Sequence, residues 1–282
     1  MVKCEIAVLT EKQLADYEEL GFVHSIPILS ESEAQNYTAE VDATCQALGG
    51  RVARLDAAHY FFRWAWDLST HPRLLNCMRQ LLGPNILLKS TRLFYKHGGS
   101  ASFVGWHQDG ITERLQDAQV PAIWLGLTAA TVENGCLRVV PRSHRLGLVP
   151  HDELLDSDNL TAQGTTAQDQ IGAPQDIVMR PGEMILLHPL ILHASNPNRS
   201  AGSRIGFSAT YATPALRSSR TPIAWVLGDG PRHCFEVADK PPLVSLEDAV
   251  AAYRARNYQI LFRQSASQEA GNSAIPKTKL AT

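Results

Sequence analysis

The sequence predicts a mainly β protein with flanking α-helices, a sandwich or jelly roll, and three observations carry that prediction. The first eighty residues hold helical start and stop signals; from residue 86 the apolar pattern breaks into short β-favouring runs. Gly, Pro or Asn interrupts those runs at close intervals. At 282 residues and 44% hydrophobic content, the chain can bury one large core.

Taken in order, "TEKQLADYEELG" opens on a Thr cap and closes on a glycine, and "SESEAQNYTAEVDATCQALGG" repeats that grammar over a longer span. A third helical stretch, "DAAHYFFRWAWDLSTHPRLLNCMRQLLGP", has apolar and aromatic residues three and four apart and stops at Gly83-Pro84. It is expected to cover a sheet. The runs "ILLKSTRLFYKH", "PAIWLGLTAA", "CLRVVP", "DIVMRPGEMILLHPLILH" and "RIGFSATYATP" then read as strands, with Glu133-Asn134-Gly135 and Pro181-Gly182 as turns. Between them, residues 151–176 are polar and too long for a plain connector, a candidate lid. The expected organisation is a single domain over 1–265, with a helical N-terminal part over 1–84 and a β core over about 85–230. Residues 266–282, small and polar, read as a disordered tail.

A formal charge of −2 and a pI near 6.5 give no basic field to attract nucleic acid or anionic lipid, so neither is expected as a partner. No segment reaches the roughly 18 apolar residues of a membrane span. Five cysteines, at 4, 45, 77, 136 and 234, are scattered and odd in number, which fits reduced thiols and a cytoplasmic protein.

The chemistry turns on "FVGWHQDG", residues 103–110, which places His107 two positions before Asp109. Residues two apart on an extended segment share a face, so both can reach one ion. Alone the tripeptide decides little, since chance gives on the order of one H-x-D in such a chain. Two histidines and one carboxylate with open positions suit Fe(II) and oxygen chemistry, which directs attention to a distant second histidine. "EMILLHPLILHASNPNRS" offers His188, inside an apolar run before a proline, and His193, at the end of the run. His193 is the better candidate. Eleven residues beyond it, Arg204 opens a strand-like run; on a neighbouring antiparallel strand its planar fork can hold the distal carboxylate of a keto acid.

The ordered motifs "WHQDG", "IWLGLTAATVENGCLRVVPRSHR" and "PGEMILLHPLILHASNPNRSAGSRIGFSATY" resemble the phytanoyl-CoA dioxygenase family of Fe(II)/2-oxoglutarate oxygenases, particularly its small-molecule hydroxylases and halogenases. The similarity also takes in "YEELGFVHSIPILSESEA" and "STHPRLLNCMRQLLGPNILL", so it spans most of residues 10–230. It implies a double-stranded β-helix, a cupin-like jelly roll. It further implies iron ligands His107, Asp109 and His193, Arg204 as the 2-oxoglutarate anchor, and Trp124 in the cosubstrate pocket. In the family's halogenases a small residue replaces the carboxylate ligand; Asp109 here disfavours halogenation. The implied reaction consumes 2-oxoglutarate and O2, releases succinate and CO2, and hydroxylates a small organic molecule of natural-product or metabolite type. Desaturation, epimerisation, ring or endoperoxide formation are alternatives on the same iron, and a non-catalytic jelly-roll binder is the alternative from another class.

Other residues have plainer readings. His188 is expected to be a buried histidine bonded to backbone, and His151 with Glu153 a solvent-exposed decoy. Trp106 is expected in core packing, on the face opposite the ligands. Tyr95, on the run leading to the metal loop, is a candidate for the cosubstrate pocket, and Lys96 reads as a solvated edge charge. The pocket mouth is expected among residues 110–120, 151–176 and 217–225, where Arg114, Arg217 and Arg220 are candidate grips for an anionic substrate.

Overall fold

The computed structural model describes residues 9–112, 120–154, 156–167, 172–216, 222–230 and 236–256. Helix α1 (Glu11–Leu20) starts with a capping box between Thr10 and Gln13 and ends on Gly21, whose φ of 84° is a left-handed conformation that glycine adopts without strain. Helix α2 (Glu31–Ala47) starts with the same device, Ser30 with Glu33. The first eighty residues are not wholly helical, however. Strand β1 (Phe22–Pro27) lies between these helices, and β2 (Arg54–Asp56) follows α2. Phe22, Val23 and Ile26 are buried, and that apolar content is what the edge of a sheet rewards over a helix. The long third stretch is also divided, into α3 (Arg63–Ser69) and α4 (Pro72–Leu82). Pro72 explains the break: it lacks an N–H and is suited to the first turn of a new helix. A further helix, α5, runs over 246–256.

The remaining strands are β3 (Ile86–Lys96), β4 (Val104–His107), β5 (Ala122–Gly126), β6 (Leu137–Val139), β7 (Asp152–Glu153), β8 (Gln163–Gly164), β9 (Gln175–Ile177), β10 (Glu183–Leu187), β11 (His193–Ser195), β12 (Arg204–Ala212) and β13 (Ala224–Leu227). They form a seven-stranded sheet, β1-β10-β5-β12-β3-β13 with β2 beside β3, a four-stranded sheet, β4-β11-β6-β9, and the two-stranded ribbon β7-β8. All named pairings are antiparallel. This is the jelly roll that the short runs predict. Among the described residues no helix is long and apolar enough to cross a membrane.

Two apolar layers result, and the two-residue strand period sorts side chains between them. On one face of the large sheet, Leu93 of β3, Ile123 and Leu125 of β5, Met184 and Leu186 of β10, and Ile205 and Phe207 of β12 pack with Trp64, Leu68, Leu74 and Met78 of the helices. On the other, Phe94, Trp124, Ile185 and Leu187 meet Val104, Leu137 and Val139 of the small sheet. Residues of the second parity therefore look into the space between the sheets, and that parity places the site.

Candidate active site

His107 ends β4 and His193 begins β11, and the register makes them direct cross-strand partners. Their rings lie 4.2 Å apart, centroid to centroid. Each ring is oriented by the carbonyl two residues earlier: His107 Nδ1 lies 2.9 Å from Gly105 O and His193 Nδ1 3.1 Å from Ile191 O. A carbonyl only accepts, so both Nδ1 atoms carry the proton, and both Nε2 lone pairs are left for a ligand. Asp109, at the head of a 3-10 turn (Asp109–Thr112), supplies the third group. Its Oδ1 is 3.6 Å from His107 Nε2 and its Oδ2 3.9 Å from His193 Nε2. Ligand atoms of the three residues fall within 4.8 Å of one another, a grouping that can hold a metal ion.

The charge states suit that role. Burial works to raise the Asp109 carboxyl, but the imidazoles beside it, His193 first and then His107, outweigh burial and hold the group below the usual carboxylate range. Burial, reinforced by His107, pushes His193 down to about 4. At neutral pH Asp109 is thus a carboxylate and His193 a neutral imidazole, the forms that bind metal. Two nitrogens and one carboxylate, with the rest of the sphere open, are the donors of non-heme Fe(II) oxygenase sites.

Beyond the triad the cavity is lined by Arg92, Phe94, Trp124, Leu187, Ser195, Arg204 and Ser208, among others. Arg204 is 1% exposed. One Nη donates to Gly135 O at 2.8 Å, the guanidinium sits 5.2 Å from the Trp124 ring centroid, and Nε is buried without a partner. Among the described residues no carboxylate lies within 4.0 Å of it. A fully buried guanidinium with a donor to spare and no counter-charge is a ready site for a carboxylate ligand. Gly206 makes this arrangement sterically feasible, because a Cβ there would stand 1.9 Å from Trp124 Cζ2. Arg204, Gly206 and Ser208 share one face of β12, so the parity that selects Arg204 also selects Ser208, which sequence reasoning missed.

Tyr95 is not brought to the cavity. It packs with the helix-side cluster and donates to Asp42 Oδ1 at 2.9 Å, because Arg92, Phe94 and Lys96 are the cavity-parity residues of β3. Nor is Lys96 a solvated edge charge; it is 0% exposed. His188 is not a ligand: its Nδ1 accepts from Leu190 N at 3.1 Å, and it packs beside His144 and Tyr17. His151 differs from its expected exposure. Its Nδ1 donates to Val149 O at 2.8 Å, leaving Nε2 to accept the Gln108 N–H at 2.9 Å, directly between the two ligands of the tripeptide. Gln108, wholly buried, completes this connection: its Nε2 donates to Gly147 O and Leu190 O, and its Oε1 accepts from Val149 N. An uncharged glutamine in a turn gives no sequence signal of such a role.

Trp106 is half-buried under the Arg138 guanidinium, 5.6 Å away, and lines an outer cavity of about 410 Å³ instead of the core. The ribbon β7-β8 borders that outer cavity, so the described part of the candidate lid covers the back of β4. Arg114, Arg217, Arg220 and the tail lie outside the described residues.

Comparison with known proteins agrees with this geometry. The family described as phytanoyl-CoA dioxygenase (PhyH) matches residues 17–206. The peroxisomal phytanoyl-CoA dioxygenase of Bos taurus is 27% identical over 236 residues, covering 73% of this chain and 69% of its own. The ectoine dioxygenase of Halomonas elongata is 27% identical over 228 residues, covering 70% and 68%. Among solved structures, the apo form of ThoJ, a non-heme monooxygenase, superposes with a TM-score of 0.71 at 25% identity, covering 92% of this chain and 98% of that one. With two histidines and a carboxylate converging between the sheets of a jelly roll, the chain belongs to the phytanoyl-CoA dioxygenase family and is an Fe(II)/2-oxoglutarate-dependent dioxygenase.

Proposed function

We propose that the enzyme hydroxylates a carbon of a small organic metabolite or natural product, with 2-oxoglutarate and O2 as cosubstrates and succinate and CO2 as co-products. The observation that carries this reading is the intact Asp109 carboxylate between His107 and His193. A full facial triad leaves no ligand position given up to a halide, which favours oxygen transfer to the substrate over halogenation. In this reading His107, Asp109 and His193 hold the iron. Arg204 takes the distal carboxylate of 2-oxoglutarate, and Trp124 forms a wall of the same pocket. Bound iron with its cosubstrate supplies the oxidising power. The protein's residues have narrower tasks. The Gly105 and Ile191 carbonyls fix the imidazole tautomers, Trp124 holds the Arg204 guanidinium by its ring face, and Phe94, Val104, Leu137 and Leu187 keep water from the reacting carbon.

The test is succinate formation by iron-loaded protein given 2-oxoglutarate and O2, with a panel of small-molecule substrates and analysis of the product mass. Substrate-accelerated succinate with a product heavier by one oxygen atom is expected. Asp109→Ala should cut the rate by at least about a hundredfold, beyond what loss of an outer partner of a metal ligand costs. Arg204→Ala should act mainly through weaker 2-oxoglutarate binding. A product lighter by two hydrogens, or unchanged activity in Asp109→Ala, would overturn the hydroxylase reading.

A further inference from the structure

Directly across from Arg204 in the register of the large sheet stands Lys96, so two cations oppose each other on the same face. Both are buried, Lys96 at 0% and Arg204 at 1% exposed. Like charges in that position repel, and buried charge without a counter-ion is costly. Among the described residues no carboxylate lies within 4.0 Å of Lys96 either. The groups that face it are Arg204 on β12, the Cys136 thiol preceding β6, and Ser195 and Asn196 at the end of β11.

The ammonium position is surrounded by three oxygens: Ser195 Oγ at 2.7 Å, Ser195 O at 3.3 Å, and Asn196 O. Only one of them, the hydroxyl, can also donate. A neutral amine has two hydrogens and a lone pair, so it gives its hydrogens to the two carbonyls and accepts the Ser195 O–H. Protonated, it has three hydrogens for three oxygens, and Ser195 Oγ becomes an acceptor with its own hydrogen released. Ser195 shares the strand parity of His193 and lines the cavity that Arg204 enters. The protonation state of Lys96 therefore decides whether the Ser195 hydroxyl points back at the lysine or out into the cavity.

We propose that Lys96 is a positioning residue for the carboxylate-binding end of the cavity: a proton taken up from solvent when an anionic ligand settles against Arg204 turns the Ser195 hydroxyl into a donor to that ligand. The inference rests on the reading of Arg204 as the 2-oxoglutarate anchor. The empty enzyme is prepared for the uptake, since burial first, and then the charge of Arg204, bring Lys96 down to about 6. A carboxylate beside Arg204 removes the repulsion and raises that value again. The sign follows: uptake occurs at pH values above the free-state value and below the bound one, and disappears once pH falls low enough that Lys96 is already charged.

The experiment is isothermal titration of 2-oxoglutarate into Mn(II)-loaded protein without oxygen, in two buffers of different ionisation enthalpy. The expected result at about pH 7.5 is uptake approaching one proton per 2-oxoglutarate, falling as pH is lowered toward about 5. Lys96→Met, which keeps the length and apolar body of the side chain, should abolish this uptake and remove the dependence of 2-oxoglutarate affinity on pH between about 5 and 7.5. Ser195→Ala should weaken binding about tenfold, the loss of one charge-supported hydrogen bond to the ligand. Tight binding by the native enzyme with no buffer-dependent heat would overturn the role of Lys96 alone, independently of how the variants fold. Retention of the uptake in Lys96→Met would do the same. Absence of any 2-oxoglutarate binding would overturn both this proposal and the anchor reading beneath it.

Discussion

The two sheets that enclose the site are built differently. The large sheet contains the eleven-residue β3 and nine-residue β12, paired over nine registered positions and backed by helices, so a long ladder and close packing place Arg204 and, on the neighbouring β5, Trp124. The small sheet carries both candidate histidine ligands, His107 and His193, on strands of four and three residues. Ladders that short define position poorly, and side-chain bonds to backbone do the rest. Asn159 Oδ1 accepts from Gly105 N, Ser143 Oγ from Leu192 N, and Gln108 and His151 join the metal turn to the segment 147–149. The Arg204 end of the cavity is therefore positioned by main chain and packing. The histidine end is positioned by a handful of side chains, and damage to each region should read out differently.

The largest expected effect lies on the large sheet. Gly206 faces Trp124 across β12 and β5, and its missing Cβ is the space that the indole fills. Gly206→Ala forces overpacking in a central strand, with an expected loss of about 1–3 kcal/mol of stability in denaturant unfolding. In the folded fraction, displacement of the indole should weaken 2-oxoglutarate binding while metal affinity stays near that of the native protein. A variant as stable as the native protein would show that the strand yields easily, and that its ladder does not fix the site.

Gln108→Ala sharpens the contrast from the other side. It strips partners from Gly147 O, Leu190 O and Val149 N without touching a ligand atom. Metal affinity should fall about tenfold to a hundredfold, the range for loss of groups that orient metal ligands. Hydrogen exchange should rise at the Gln108 and Val149 amides and stay slow in β3 and β12, because the opening is local. Equal acceleration in both sheets would mean that the two regions form one cooperative unit.

The sequence made the juxtaposition of the three candidate ligands legible because their arrangement follows from strand geometry: two positions apart for His107 and Asp109, and a distant strand end for His193. Arg204 was legible for its chemistry on a predicted strand. What escaped has a physical cause in each case. Ser195 and Ser208 follow from His193 and Arg204 by the two-residue period, yet serine on a strand carries no chemical signal of its own. His151 gains its partner only through tertiary folding, since 43 residues separate it from Gln108. The helical grammar of the N-terminal part obscured β1, whose pairing with β10 lies far along the chain. The division of the third helical stretch is carried by His71-Pro72, since proline opens a new helix there although the apolar period continues across it.

Lys96 and Tyr95 show how much turns on one residue of parity. Adjacent on β3, they occupy surroundings opposite to those the sequence predicts, because the direction of a strand's two faces is set by what packs on each and not by the strand itself. The smallest expected effect tests this assignment. Tyr95→Phe removes a hydroxyl that donates to Asp42 on α2, at the helix side of the large sheet. The expected cost is at most about 1 kcal/mol of stability, the worth of one partly exposed hydrogen bond. The KM for 2-oxoglutarate and the rate of succinate formation should stay unchanged, since the ring neither enters the cavity nor contacts a residue that lines it through its hydroxyl. A raised KM at unchanged stability would place Tyr95 with Arg204 after all, and would require β3 to present its other face to the site, moving Lys96 out of reach of Ser195 at the same time.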